Sequence, residues 1–280
     1  ILAAGALALS ACGGGNGGSG SDTEGPAVAQ DPNFEAGTTM ATLAAQGSIR
    51  IGTKFDQPLF GLKGLDNNPE GFDVEIGKII AGQLGIAEDQ ITWVETPSRA
   101  REQAIQNGDV DMVVATYTIN DTRRQSISFA GPYYVAGQAI MVRADDDTIT
   151  GPESLRQNPN VKVCSVAGST PAENIKQYLA NAGQLVTFDV YEKCVSALDT
   201  DQVQAMTTDN VILLGYMGAN EGKYKLAGDT FTEEPYGIGI RKGDVAFCEF
   251  INTTLADNKE AYEAAWERTA GTVEGAETPE

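Results

Sequence analysis

The sequence contains no histidine, and this absence excludes many functions. Without imidazole there is no histidine general base, no histidine-activated nucleophile and no histidine-ligated metal. Basic residues are also scarce, 19 against 39 acidic ones, so the formal net charge is −20. Such a charge repels nucleic acid and anionic lipid headgroups. We therefore expect no nucleic acid partner, no metal and no cofactor.

The apolar N-terminal stretch, residues 1–12, is too short to span a bilayer, which takes about 20 residues. It ends in small residues and Cys12, and a tract rich in glycine and serine follows. This order is typical of a bacterial lipoprotein signal, in which the cysteine carries the lipid. We expect a partial signal peptide over 1–12, lipid on Cys12 and a location outside the cytoplasm, at the cell membrane. The alternative is an apolar N-terminus with a buried Cys12.

The three other cysteines are Cys164, Cys194 and Cys248. An oxidising compartment favours a disulfide, and a bridge between Cys164 and Cys194 closes a loop of about 30 residues, worth about 3–4 kcal/mol. Two buried free thiols are the alternative. Cys248 then either faces a helix packing surface or pairs with a cysteine beyond residue 280.

Residues 13–40 are rich in glycine, serine and threonine and predict a flexible tether. Beyond them, short apolar runs alternate with helical patterns, which is typical of βαβ units. The predicted strands are 48–53, 91–95, 110–116, 139–143, 161–166, 185–190, 203–207 and 236–240. The predicted helices are 73–84, 99–107, 171–182, 191–198, 210–216, 245–256 and 259–268. Residues 271–280 are expected to be a loose tail.

Polar stretches at 143–147 and 229–235 interrupt this pattern. A chain that leaves one α/β unit, builds a second and returns forms two lobes, joined by two hinge strands with a cleft between them. We predict that residues 41–143 and 230–270 form lobe 1 and that residues 144–229 form lobe 2.

The predicted strand 110–116 runs into hydroxyl residues and then Arg123. In open α/β sheets, ligands bind beyond the carboxyl ends of the strands. Thr118 and Arg123 are suited to hold a carboxylate there, arginine through its two-pronged guanidinium. The alternative is that Arg123 is an ordinary surface residue.

This region also carries a family resemblance. Gly-Asp-x-Asp at 108–111, Thr118-Ile119 followed by Arg123, and Phe-x-x-Pro-Tyr-Tyr at 129–134 resemble the solute-binding proteins of polar amino acid ABC transporters. Further matching segments are 48–53, 71–75, 166–171, 207–209 and 236–242. The resemblance extends over 48–268, and 54–58 and 165–170 are most similar to the glutamate-binding lipoproteins of actinobacteria.

The resemblance implies an α/β fold of the two-lobe, type II periplasmic-binding-protein class, with an amino acid in the cleft. The binding residues that it implies are Arg123, Asp209, Thr118, Thr116, Gly168, Ser169, Thr170, Lys54 and Arg101. Arg123 and the N–H groups of loop 168–170 suit the α-carboxylate of an amino acid. Asp209 suits the α-ammonium, together with oxygens of Thr116 and Thr118. As an alternative, Asp209 is a plain N-cap.

Two cationic residues, Lys54 and Arg101, indicate that the ligand's side chain is acidic. Lys54 stands where glutamine- and histidine-binding members tend to carry an acid, and Arg101 matches the arginine that glutamate- and aspartate-binding members direct at the distal carboxylate. We therefore expect an acidic ligand, glutamate before aspartate. The alternative is an exposed Arg101 paired with Glu95 or Glu102.

From this resemblance we predict a monomeric, lipid-anchored binding protein, without catalytic activity, that closes over an acidic L-amino acid. It would deliver that ligand to an ABC permease in the membrane. One alternative is a lipoprotein that presents the same ligand to a signalling receptor. Another is a dehydratase-like enzyme on the same scaffold, which needs a general acid in the cleft.

Overall fold

The computed structural model describes residues 26–65 and 67–279, so Cys12 and the predicted signal lie outside the described residues. The strands are β1 (Ile49–Thr53), β2 (Asp56–Gln57), β3 (Gly61–Lys63), β4 (Pro69–Glu70), β5 (Ile91–Glu95), β6 (Met112–Val113), β7 (Ser128–Ala136), β8 (Gln138–Arg143), β9 (Val163–Val166), β10 (Leu185–Phe188), β11 (Ala205–Asp209), β12 (Tyr224–Leu226) and β13 (Glu234–Ile240). The α-helices are α1 (Thr39–Gln46), α2 (Phe72–Gln83), α3 (Arg101–Asn107), α4 (Asp121–Arg124), α5 (Pro152–Gln157), α6 (Thr170–Asn174), α7 (Tyr191–Asp199), α8 (Asn210–Gly218), α9 (Val245–Asp257) and α10 (Lys259–Arg268). None of these helices has the length and apolar character needed to cross a membrane.

Two mixed five-stranded sheets form the centres of two lobes. Lobe 1 has the order β5-β1-β6-β13-β7, and lobe 2 has the order β10-β9-β11-β8-β12. In each sheet three neighbouring strands are parallel, and the strands beyond them pair antiparallel. A small sheet of β2, β3 and β4 follows β1 in the chain. Helices pack on these sheets, so the predicted two-lobe α/β class is confirmed.

The first crossing between the lobes lies at Gly137, earlier than the predicted break at 143–147. β8 pairs with β11 in the second sheet, so Gln138–Arg143 belongs to lobe 2. The prediction missed β7, which pairs with β13 in lobe 1, because its Gly131-Pro132 pair does not read as a strand. A Cβ on Gly137 would lie 2.7 Å from Thr230 Cβ, so the two crossing segments touch. The return crossing falls between β12 and β13, within the predicted 229–235.

The described part of the predicted tether packs on lobe 1. The Ala29 N–H donates to the Gly82 carbonyl at 2.9 Å, and the ring of Phe34 meets that of Phe250 edge-on at 5.5 Å. At the other end, the Tyr134 hydroxyl donates to the Glu277 carbonyl at 3.1 Å. Both segments therefore differ from the flexible tether and loose tail that their composition predicts, because a few contacts with the folded lobe fix them.

The predicted disulfide between Cys164 and Cys194 is present and joins β9 to α7, with the Cα atoms 5.5 Å apart. Replacing both residues by alanine is expected to lower the free energy of unfolding by about 3–4 kcal/mol, from the entropy of a loop of this length. Denaturant unfolding measures the change. Cys248→Ala is the matched control, because this half-buried thiol is free among the described residues. Equal losses in both proteins would contradict the prediction.

Candidate functional site

A small cavity lies between the two lobes. It is lined by Gln57, Ser98, Arg101, Thr116, Thr118, Ser169, Thr170, Pro171, Tyr191, Asp209 and Ile212. These residues follow the carboxyl ends of strands in both sheets or begin the next helix, which is where α/β sheets bind ligands. A wider cleft adjoins the cavity, and its lining includes Arg123, Gly168 and Glu234. Of the nine predicted ligand residues, six line the cavity, Arg123 and Gly168 line the adjoining cleft, and Lys54 lines neither.

Arg101 begins α3 and is 2% exposed, so it is not a surface residue. Its Nη1 donates to the Ala115 carbonyl at 2.9 Å, and its guanidinium carbon lies 4.0 Å from the centre of the Tyr117 ring. No carboxylate of the described residues forms an ion pair with it, so the alternative pairing with Glu95 or Glu102 is wrong. Arg101 is therefore a buried cation at a cavity, without an anionic partner.

Arg123 lies on α4 and is also buried, at 6% exposure. Its Nη1 donates to the Thr118 carbonyl at 2.6 Å, and its Nη2 donates to the Gly168 carbonyl of lobe 2 at 3.1 Å. Glu102 Oε1 lies 3.2 Å from its Nε. Burial, together with the charge of Arg101, lowers the pKa of Arg123 to about 10, so it remains a cation at neutral pH. Arg123 thus connects the two lobes.

The loop before α6 approaches lobe 1 closely. Gly168 has φ +80°, and a Cβ there would lie 2.7 Å from Arg99 Cα, so both the conformation and the contact require glycine. The Ser169 hydroxyl accepts from the Ala172 N–H at 3.1 Å and caps α6.

Thr170 places a hydroxyl at the lobe boundary. Its Oγ1 donates to Glu234 Oε2 at 2.7 Å and lies 3.2 Å from Thr118 Oγ1. Glu234 is 2% exposed and also accepts from Asn174 Nδ2 at 3.0 Å, so the start of β13 is hydrogen-bonded to α6. The predicted residues Thr118 and Thr170 are therefore brought together across the cleft.

Asp209 ends β11 and is 3% exposed. Its Oδ2 accepts from the Tyr236 hydroxyl at 2.6 Å, whereas Oδ1 has no hydrogen-bond partner among the described residues. Burial, and then the nearby charge of Glu234, raise the pKa of Asp209 to about 7. The residue stands at the N-cap position of α8, but its side chain makes no capping hydrogen bond. The structure therefore does not support the plain N-cap interpretation.

Lys54 is buried at 3% exposure but does not reach the cavity. Its Nζ donates to Ser98 Oγ at 2.7 Å, and Ser98 lines the cavity. Burial, and then the charge of Arg101, lower the pKa of Lys54 to about 7. In the structure Lys54 therefore contacts Ser98, and its contact with the ligand stays a prediction.

The sequence prediction missed several lining residues, among them Gln57, Ser98 and Tyr191. Gln57 Oε1 accepts from Thr116 Oγ1 at 3.0 Å, and its Nε2 has no hydrogen-bond partner among the described residues. β2 contains only two residues, too few for any periodic signal. The one available clue was that Gln57 falls within the segment 54–58, which carries the family resemblance.

The two lobes also touch beside the cavity, where the strand β2 meets α7 and α8. Asp56 Oδ2 accepts from the Tyr191 N–H at 2.6 Å, and the Tyr216 hydroxyl donates to the Asp56 carbonyl. A Cβ on Gly215 would lie 2.6 Å from the Pro58 carbonyl oxygen. These contacts hold the lobes together without involving the cavity lining, apart from the backbone of Tyr191.

Two α/β lobes that meet over a polar cavity define a binding protein of the two-lobe class. The chain belongs to family 3 of the bacterial extracellular solute-binding proteins, whose family model matches residues 49–266. It is 42% identical over 230 residues to the glutamate-binding protein GluB of Corynebacterium efficiens, covering 79% of this chain and 77% of the relative. It is 38% identical over 222 residues to the ABC transporter glutamine-binding protein GlnH of Bacillus subtilis, covering 79% and 80%.

A solved structure of an amino acid-binding protein has a similar fold. The fold is similar to that of an ancestral arginine-binding protein bound to glutamine, with a TM-score of 0.73 and 33% identity, covering 80% of this chain and 97% of that one. The resemblance inferred from the sequence motifs is thus confirmed.

Proposed function

We propose that this protein binds an acidic amino acid, glutamate before aspartate, as a monomer outside the cytoplasm and delivers it to an ABC permease. The proposal rests on two residues that line one buried cavity. Arg101 forms no ion pair with the described residues, and Oδ1 of Asp209 has no hydrogen-bond partner among them. A zwitterion with an anionic side chain supplies both missing partners. GluB, a relative at 42% identity, is named as a glutamate-binding protein, which agrees with this ligand.

The α-carboxylate is assigned to the mouth of the cavity. Arg123 Nη1 and Nη2 each donate one hydrogen bond to a carbonyl, and each carries a second hydrogen that is available to a carboxylate. The hydroxyls of Thr118 and Thr170 lie at the same boundary. A desolvated carboxylate is thereby met by the charged fork of Arg123 and, on lobe 1, by the Thr118 hydroxyl, since Thr170 already donates its only hydrogen to Glu234.

The α-ammonium is assigned to Asp209. Its Oδ1 is buried and unpaired, which is costly for a carboxylate unless a cation or donor arrives. The distal carboxylate is then left to Arg101, and Lys54 holds the hydroxyl of the neighbouring Ser98. A protein with a net charge of −20 needs such local cations to hold a dicarboxylate.

Calorimetric titration of the protein with each of the twenty amino acids tests this function. We expect glutamate to bind most tightly and aspartate next. The uncharged side chains of glutamine and asparagine should bind more weakly, because they leave the buried Arg101 without an anion. Strongest binding of arginine or of glutamine would contradict the acidic assignment, and binding of no amino acid would contradict the proposed function as a whole.

We also propose that Cys12 carries a lipid, on the basis of the sequence Leu9-Ser10-Ala11-Cys12. When the full precursor is expressed in a bacterium that is fed radiolabelled palmitate, the protein should be labelled and should sediment with membranes. Cys12→Ala should remove the label and release the protein, whereas Cys248→Ala should do neither. Label that persists in Cys12→Ala would contradict the anchor.

A further inference from the structure

Gln57 presents an unpaired hydrogen-bond donor at the cavity. The side chain is fully buried, and its Oε1 accepts from Thr116 Oγ1 at 3.0 Å. Its Nε2 is also buried and has no hydrogen-bond partner among the described residues. Buried amide nitrogens are nearly always paired in folded proteins, with protein or with ordered water, so a ligand in the cavity that accepts from this one satisfies it.

A chain of hydrogen bonds connects the Gln57 amide to the core of lobe 1. Thr116, whose hydroxyl holds Oε1, has φ +44°, an uncommon conformation for threonine. Its N–H donates to Asp73 Oδ2 at 2.7 Å, and Asp73 Oδ1 accepts from the Tyr133 hydroxyl at 2.6 Å. Asp73 is itself fully buried in α2. The single hydrogen of the Thr116 hydroxyl has two acceptors within reach, Gln57 Oε1 at 3.0 Å and the Ala115 carbonyl at 2.8 Å. In the arrangement that the structure describes, the amide N–H groups of Gln57 are left for the cavity.

Two residues of the cavity lining therefore carry an unpaired buried polar atom, and the two atoms have opposite character. Asp209 Oδ1 is an acceptor, which suits the α-ammonium, and Gln57 Nε2 is a donor. A donor that faces a buried cavity beside Arg101 requires an oxygen on the ligand. A distal carboxylate has two oxygens, so it can accept from the guanidinium and from the amide together.

We propose that Gln57 is a specificity-determining residue, which donates an Nε2 hydrogen to the distal carboxylate of the bound amino acid. This inference rests on the proposed acidic ligand. With the amide turned around, Gln57 would present an oxygen, which favours a ligand whose distal group is a donor, such as the amide of glutamine. Gln57 favours glutamate if its Nε2 faces the ligand, and glutamine if its Oε1 does.

The test compares glutamate with glutamine by calorimetric titration of native protein, Gln57→Leu and Gln57→Glu. Gln57→Leu should weaken glutamate binding about 10- to 100-fold, which is the range for a hydrogen bond to a charged group. It should weaken glutamine binding only about fivefold. Gln57→Glu replaces the donor by an acidic acceptor. It should weaken glutamate more than about 100-fold while glutamine stays within about tenfold, so that the preference reverses.

Gln184→Leu is the matched control. This glutamine is equally buried, but its Nε2 donates to three backbone carbonyls of lobe 2, away from the cavity. The control should melt at a lower temperature with an unchanged ratio of the two dissociation constants. Gln57→Met is the substitute if Gln57→Leu does not fold.

The result that overturns the inference alone is a native protein that binds glutamate while both Gln57 variants stay within about threefold of it. Stronger glutamate binding by Gln57→Leu would overturn it as well. A native protein that binds neither glutamate nor aspartate would instead remove the proposed function, and the inference with it.

Discussion

Replacing Arg101 by methionine is expected to weaken glutamate binding by more than about 100-fold. Arg101 is buried, has no carboxylate partner among the described residues and lines the cavity, so its loss leaves the distal carboxylate unpaired in a desolvated site. Glutamine, whose side chain is neutral, loses only a hydrogen bond, and we expect a decrease of about fivefold. Titration of both ligands against native and variant protein measures the difference.

Two further variants separate charge from folding. Arg101→Lys keeps a cation and should recover part of the glutamate affinity, although it loses the planar stack on the Tyr117 ring. Arg124→Met removes an exposed arginine and should leave both affinities unchanged. If Arg101→Met weakened glutamate binding and glutamine binding by the same factor, Arg101 would support the fold of the site and would not select the ligand.

Asp209→Asn is expected to weaken every amino acid ligand by more than about 100-fold, because all of them share the α-ammonium. The substitution keeps the shape of the side chain but removes the charge that compensates a buried cation. Unlike Arg101→Met, it should leave the ratio of glutamate to glutamine affinity unchanged. Asp229→Asn, at an exposed position, is the control. Near-native affinity in Asp209→Asn would show that the ammonium site lies elsewhere.

The carboxylate of Asp209 is also expected to make ligand affinity depend on pH. Without ligand, burial and Glu234 raise the pKa of Asp209 to about 7, and the incoming ammonium favours the ionised form. Binding below pH 7 must therefore expel a proton, so affinity should rise from pH 5 to about pH 7. Asp209→Asn should lack this rise, and calorimetry in buffers of different ionisation enthalpy measures the released proton. An unchanged slope in the variant would contradict the assignment.

The ligand-free protein should show the opposite trend in stability. Burial raises the pKa values of Asp73 and Asp209 to about 7 in the folded state, above the 3.8 of an ordinary aspartate. Between these two values the folded protein binds more protons than the unfolded chain, so the contribution of these groups to stability falls as pH rises from about 4 to about 7.

Local patterns predicted the elements whose apolar residues recur regularly. The bounds of β5 and α10 match the predictions, and β1 differs by one residue, because apolar periodicity there reflects contact with one core. β7 could not be found in this way, since its Gly131-Pro132 pair breaks the pattern and its pairing with β13 is long-range. The predicted boundary between the lobes at residue 143 differs from the observed crossing at Gly137 because that crossing follows β7 directly.

The candidate site was predictable where a residue type implies a charge that the proposed ligand needs. Arg101, Arg123 and Asp209 are of this kind, and the structure buries all three near one cavity. Gln57 was not predictable, because its unpaired amide depends on Thr116, which is distant in sequence and held in an unusual conformation. The indirect position of Lys54 likewise depends on a tertiary contact with Ser98.

The hydrogen bond between Asp56 and the Tyr191 N–H has a consequence for how affinity can be tuned. Both groups belong to the protein, so the bond stabilises the arrangement in which the lobes meet, whichever ligand binds. The apparent dissociation constant equals the intrinsic one divided by the population of the binding-competent conformer. The unpaired atoms of Asp209 and Gln57 bias the same equilibrium the other way until a ligand arrives. A substitution at Asp56 is therefore expected to change the affinity for every ligand by the same factor, whereas substitutions in the cavity lining are expected to change the affinities of different ligands by different factors.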